Sequence, residues 1–122
     1  MYTISKEFRF EAAHRLEGLA EDHPCMSLHG HSYLIIIELS SVLLDPSGFV
    51  VDYRALQPIK NWIDITLDHK YLNDVLPKGI NPTAENIAKY IYDSWKHQFP
   101  KLTAVMVKET EKTLARYTPD YS

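Results

Sequence analysis

Polar and apolar residues alternate along the first stretch of the chain. From Thr3 to His14, Ile4, Phe8, Phe10 and Ala12 share one parity that only Lys6 interrupts. Residues two apart on a strand point to one face, so this is a predicted strand with a buried face, and His14 lies on it. Between Arg15 and Leu28, Glu, Asp, Gly, His and Pro follow neither a period of 2 nor one of 3.6, which predicts a loop. Strand character returns from His31 to Leu44. Tyr33, Ile35 and Ile37 on one face and Leu34 and Ile36 on the other are all apolar, so both faces need cover.

Asp45-Pro46-Ser47-Gly48 predicts a turn, Phe49-Val50-Val51 a short strand returning from it as a hairpin, and Asp52 an N-cap. Leu56, Ile59, Trp62 and Ile63 have helical spacing within Tyr53 to Thr66. Pro58 has no amide to donate, so that helix is expected to kink or start late. A second helix follows Pro82-Thr83, a stop and a cap, with Ala84, Ile87, Ala88, Ile91, Trp95 and Phe99 as its apolar stripe, and ends before Pro100. Leu102 to Glu109 is a predicted strand, with Thr113 to Tyr117 as its hairpin partner. Two strands, two helices and two strands make an α+β domain over residues 1–122, a four-stranded antiparallel sheet with both helices on one face. The other face is expected to be closed by further copies, making a homo-oligomer.

Composition fits this picture: 122 residues, 45% hydrophobic and 24% charged with only 4 Gly, suffice for a core without disulfides. The net charge of -3 and the absence of any basic run exclude an electrostatic track for nucleic acid. No apolar stretch reaches bilayer length, and Met1 to Phe10 alternates instead of forming a leader, so no membrane partner is expected. The single Cys25 cannot pair within the chain, and a cytoplasmic location is the expectation.

The chemistry concentrates in His29-Gly30-His31. Residues i and i+2 of an extended segment place two imidazoles on one face, and Gly30 removes the side chain between them. Three protein ligands and one open position is the arrangement of a catalytic zinc, and His14 is the natural third ligand. The alternative is that each histidine is merely solvated or satisfied in the core. Cys25 lies four residues before His29, where a nearby cation favours a thiolate able to take a proton; its alternative is a small buried hydrophobe. In Asp68-His69 a carboxylate beside a histidine can fix its tautomer, although a solvated loop explains the pair equally well. Glu109 ends a strand on the parity of Val105 and Val107, a position for a partly buried carboxylate that needs a donor, with Lys108 or an exposed rim as the alternatives.

Taken in order, Phe10-Glu11-Ala12-Ala13-His14, Cys25-x3-His29-Gly30-His31, Leu67-Asp68-His69-x2-Leu72-Asn73, Asn81-Pro82-Thr83-x-Glu85-Asn86 and Val107-Lys108-Glu109-Thr110 resemble the pyruvoyltetrahydropterin synthase family. The three-residue gap between Cys25 and His29 resembles its bacterial 6-carboxytetrahydropterin synthase branch, that of queuosine biosynthesis. The resemblance implies a T-fold in which three copies close their sheets into a barrel and two rings stack into a homohexamer, with active sites between subunits. It implies zinc on His14, His29 and His31, Cys25 as general base, His69 as proton relay supported by Asp68, and Glu109 as anchor of the pterin ring. The implied substrate is 7,8-dihydroneopterin triphosphate, cleaved with release of acetaldehyde and triphosphate. Pro58 departs from the family's uninterrupted helix. A triphosphate also needs a basic patch, for which Arg15, Lys6, Lys108 and Arg116 are candidates. The competing expectations are the pyruvoyl synthase reaction, which keeps the side-chain carbons, and a non-catalytic oligomer that binds zinc or pterin.

Overall fold

The computed structural model describes residues 1–120. Strand β1, Tyr2–His14, pairs antiparallel with β2, His29–Ser41, over their full length, from Tyr2 opposite Ser41 to His14 opposite His29. β3, Leu102–Lys108, takes the other edge of β2, and β4, Ala115–Tyr117, pairs with β3, giving the spatial order β1-β2-β3-β4. This is the four-stranded antiparallel sheet expected from the alternation.

The predicted first helix has two parts. Asp52 caps a 3-10 turn, Tyr53–Leu56, by accepting from the Arg54 amide at 2.9 Å, and α1, Gln57–Thr66, follows. Pro58 falls in the first turn of α1, where a missing amide costs no hydrogen bond, and this is the late start its chemistry requires. A four-residue helix, α2, Leu72–Val75, interrupts a stretch that the sequence pattern left irregular. The last helix, α3, Ala84–Trp95, stops before Phe99, as Lys96 Nζ turns to the carbonyls of Pro100 (2.7 Å) and Leu102 (2.9 Å).

Ile59 and Ile63 of α1 and Ile87 and Ile91 of α3 are buried against Phe8, Phe10, Tyr33, Ile35 and Ile37 of the sheet. Each such isoleucine contributes about 1.5–3 kcal/mol relative to full exposure. On the far face Leu34, Ile36 and Met106 are only half-buried, beside an ion pair of Glu38 with Arg116 at 2.9 Å. Thr83 caps α3 by accepting from the Asn86 amide at 3.1 Å. Thr83→Ala is therefore expected to lower stability by about 1 kcal/mol in urea unfolding, and an unchanged midpoint would remove the cap from the account.

One predicted element is absent. The turn forms, with Asp45 Oδ1 accepting from the Ser47 and Phe49 amides, each at 2.9 Å, and Gly48 at φ +89°. However, residues 49–51 are not a strand. Both edges of β2 are already taken by β1 and β3, so no ladder is left to return along. Val50 is buried instead, its carbonyl accepting from Lys101 Nζ at 3.0 Å. β2 also begins two residues earlier than predicted, which brings His29 into the sheet, and ends three residues earlier, at Ser41.

Candidate metal centre and adjoining cleft

The β1–β2 register brings three histidines together. His14 faces His29 across the ladder and His31 faces Ala12, so all three share the face that carries Phe10 and Tyr33. Their ligand nitrogens lie within 4.8 Å of one another. The His31 ring stands nearly perpendicular to those of His14 and His29, with centroids 5.0 and 4.9 Å away.

Hydrogen bonds determine which nitrogen each ring offers. His14, 1% exposed, places Nδ1 2.7 Å from the Pro82 carbonyl, and His29 places Nδ1 2.7 Å from the Ser27 carbonyl. A carbonyl only accepts, so both Nδ1 atoms donate, and each Nε2 is left with its lone pair. The two Nε2 atoms face each other at 3.0 Å. Two opposed lone pairs repel unless a cation stands between them, and three nitrogens about 2.0–2.1 Å from a tetrahedral zinc lie roughly 3.3 Å apart. The donor set and its outer carbonyls therefore suit such an ion. Burial pulls the pKa of His31 down, with Glu109 opposing and His14 and His29 assisting, which favours the neutral ligand form. Burial and then Glu109 push the Tyr33 phenol far above its ordinary range.

Beside the centre, a cleft of about 580 Å³ is walled by Glu11, Gly30, His31, Ser32, His69 and Lys70 among others. His69 reaches it in a left-handed backbone conformation, φ 56°, uncommon for a residue with a Cβ. Its amide donates to the Glu11 carbonyl at 2.6 Å and its Nδ1 lies 2.8 Å from Asp68 Oδ2, while Asp68 Oδ1 accepts from the Glu11 amide at 2.9 Å. The Glu11 amide, then the His69 ring, hold the Asp68 carboxyl below its usual range. Nδ1 of His69 is thereby turned to Asp68, which leaves Nε2 free to exchange a proton.

Glu109 lies one residue beyond β3, where strand alternation no longer sets its side. It is half-buried and borders a second groove that meets the first at Ser32. Cys25 sits in a 3-10 turn, Pro24–Met26, half-buried and outside the group of mutually close ligands. The four basic candidates separate by register. Lys108 and Arg116 lie on the face opposite the histidines, and Arg116 is paired with Glu38. Lys6 shares the histidine face but sits eight residues up β1 from His14, about 27 Å away. Arg15 directly follows His14. Lys70, on the cleft wall, escaped the sequence reading because nothing in its surroundings marks it from other surface lysines.

No helix among the described residues is long and apolar enough to cross a membrane. The profile of the 6-pyruvoyl tetrahydropterin synthase family matches residues 3–120. A 6-carboxy-5,6,7,8-tetrahydropterin synthase of Synechocystis sp. is 38% identical to this chain, covering 96% of it and 93% of the relative. One from Haemophilus influenzae is 30% identical, covering 96% and 99%. Among solved structures, the 6-pyruvoyl tetrahydropterin synthase of Caenorhabditis elegans is 28% identical and superposes with a TM-score of 0.86 over 98% of this chain and 96% of that one. The fold is thus the T-fold sheet with its helices, and the chain belongs to the 6-pyruvoyl tetrahydropterin synthase family.

Proposed function

We propose that this chain is a zinc-dependent 6-carboxytetrahydropterin synthase, converting 7,8-dihydroneopterin triphosphate and water to 6-carboxy-5,6,7,8-tetrahydropterin with release of acetaldehyde and triphosphate, in queuosine biosynthesis. The observation that carries the metal is the opposed pair of His14 and His29 Nε2 atoms at 3.0 Å, each fixed by a carbonyl behind it. His14, His29 and His31 would hold the zinc, which would supply Lewis acidity to the substrate's side-chain oxygens. Cys25 takes a proton from the side-chain carbon next to those oxygens, and His69, oriented by Asp68, passes protons at Nε2. Glu109 accepts from the N–H edge of the pterin ring. Lys70, on the cleft wall, is the cation proposed to meet the triphosphate.

The half-buried Leu34, Ile36 and Met106 support closure of the sheet by further copies into a hexamer, with active sites between subunits in the cytoplasm. The carboxy product is preferred because the relatives from Synechocystis, Haemophilus influenzae and Bacillus subtilis carry that name. The C. elegans neighbour favours the second reading, the pyruvoyl reaction. Purified protein with zinc and 7,8-dihydroneopterin triphosphate is expected to release acetaldehyde stoichiometrically with triphosphate; triphosphate without acetaldehyde would establish the pyruvoyl reaction instead.

Glu109→Gln exchanges an acceptor oxygen for a donor at the pterin edge. It is expected to weaken pterin binding roughly tenfold or more while leaving zinc content unchanged. Equal pterin affinity in a fluorescence titration would refute the anchoring role.

A further inference from the structure

We propose that Asn73 and Asn81 are positioning residues that continue the free edge of β1 with side-chain amides and so hold the loop carrying Cys25. Resting on the reading of Cys25 as the base, this explains two asparagines that no step of the reaction uses. The edge is visible as a ladder of odd-numbered residues. Glu11 O accepts from His69 N and Ala13 N donates to Lys70 O, at 2.6 and 3.0 Å. Beyond the last strand residue the partners become side chains. Arg15 N donates to Asn73 Oδ1 at 2.9 Å while Asn73 Nδ2 donates to Arg15 O at 2.7 Å. Glu17 N and O are paired in the same way with Asn81, at 2.9 and 2.8 Å.

A primary amide has the donor and acceptor of a peptide unit, so each asparagine reproduces a two-bond strand pairing where no strand is present. Both sit on anchored supports. Asn73 belongs to α2, and the Asn81 carbonyl accepts from Asn86 Nδ2 of α3 at 2.9 Å. With residues 15 and 17 gripped from one side, the amide of Leu16 points the other way and donates to the Cys25 carbonyl at 2.8 Å. That bond ties the turn bearing the thiol to the end of the strand bearing His14. Remove a clamp and the residue that fixes Cys25 loses its own support.

The test uses the zinc-loaded protein with 7,8-dihydroneopterin triphosphate, and compares Asn73→Ala and Asn81→Ala in the natural background and in Cys25→Ala. In the natural background kcat is expected to fall roughly tenfold or more with KM changed less than about threefold. In the Cys25→Ala background the same substitution is expected to cause no further fall. Metal content stays unchanged, and amide exchange quickens across residues 15–28 while β1 and β2 stay protected. An equal loss of kcat in both backgrounds, or unchanged exchange in the loop, would overturn the proposal. Failure of both asparagine variants to fold would also overturn it, since the amides would then serve the fold and not the thiol. If Cys25→Ala alone retains full turnover, it is the base reading that fails, and the exchange result still reports on the clamps.

Discussion

Replacing His29 with alanine is expected to reduce bound zinc from about one ion per chain to near zero and to abolish turnover. Three neighbouring histidines alone do not make a metal site; here the carbonyls of Pro82 and Ser27 turn the Nε2 lone pairs of His14 and His29 toward the same point. Truncating His29 leaves the 1% exposed His14 with an unmatched Nε2, and two ligands where catalytic zinc is held by three. Even changes to outer partners of a zinc ligand cost about 10–100-fold in affinity, so removal of the ligand itself costs more. His97, exposed and outside the triad, supplies the control: His97→Ala is expected to keep both metal and activity. Metal analysis of dialysed protein decides the matter, and full occupancy in His29→Ala would sink the ligand assignment.

The legible parts of this protein are those whose physics is local. Alternation in Ile4 to His14 and the two-faced run at Tyr33 to Ile37 announce the strands, and the stripe from Ile87 to Trp95 announces α3. The triad was legible for the same reason: i and i+2 share a face, and His14 continues the parity of Phe10 and Ala12. What was not legible depends on distant partners. Phe49 to Val51 has the composition of a strand and fails to form one because β1 and β3 occupy both edges of β2. The carbonyls that fix the histidine tautomers are backbone atoms and leave no mark in a sequence. Asn73 and Asn81 are visible as letters, but their partners, Arg15 and Glu17, lie 58 and 64 residues away. Composition offered four cations as candidates for a phosphate chain, and only register shows that Lys108 and Arg116 lie on the face opposite the histidines.

Cys25→Ala, by contrast with His29→Ala, is expected to keep its zinc and lose turnover by about 10²–10⁴-fold, the usual contribution of a positioned acid or base. The substitution keeps the Cβ and leaves the turn intact, because the turn is built from backbone and from His23, whose ring accepts from the Cys25 amide at 3.1 Å, and from the bond between the Leu16 amide and the Cys25 carbonyl. Packing loss is small for a half-buried side chain of this size, so a large fall in kcat measures the missing proton acceptor. Cys25→Ser sharpens the distinction. A hydroxyl fills nearly the same space but is a far weaker acid than a thiol, so a packing role predicts near-normal activity for serine and a base role predicts almost none. As the chain's only cysteine, it can also be alkylated selectively, and prior incubation with substrate is expected to slow that reaction. Unchanged kcat in the alanine variant would remove Cys25 as the base. Proton transfer at the cleft would then fall to His69, which already has Nδ1 held by Asp68 and Nε2 free.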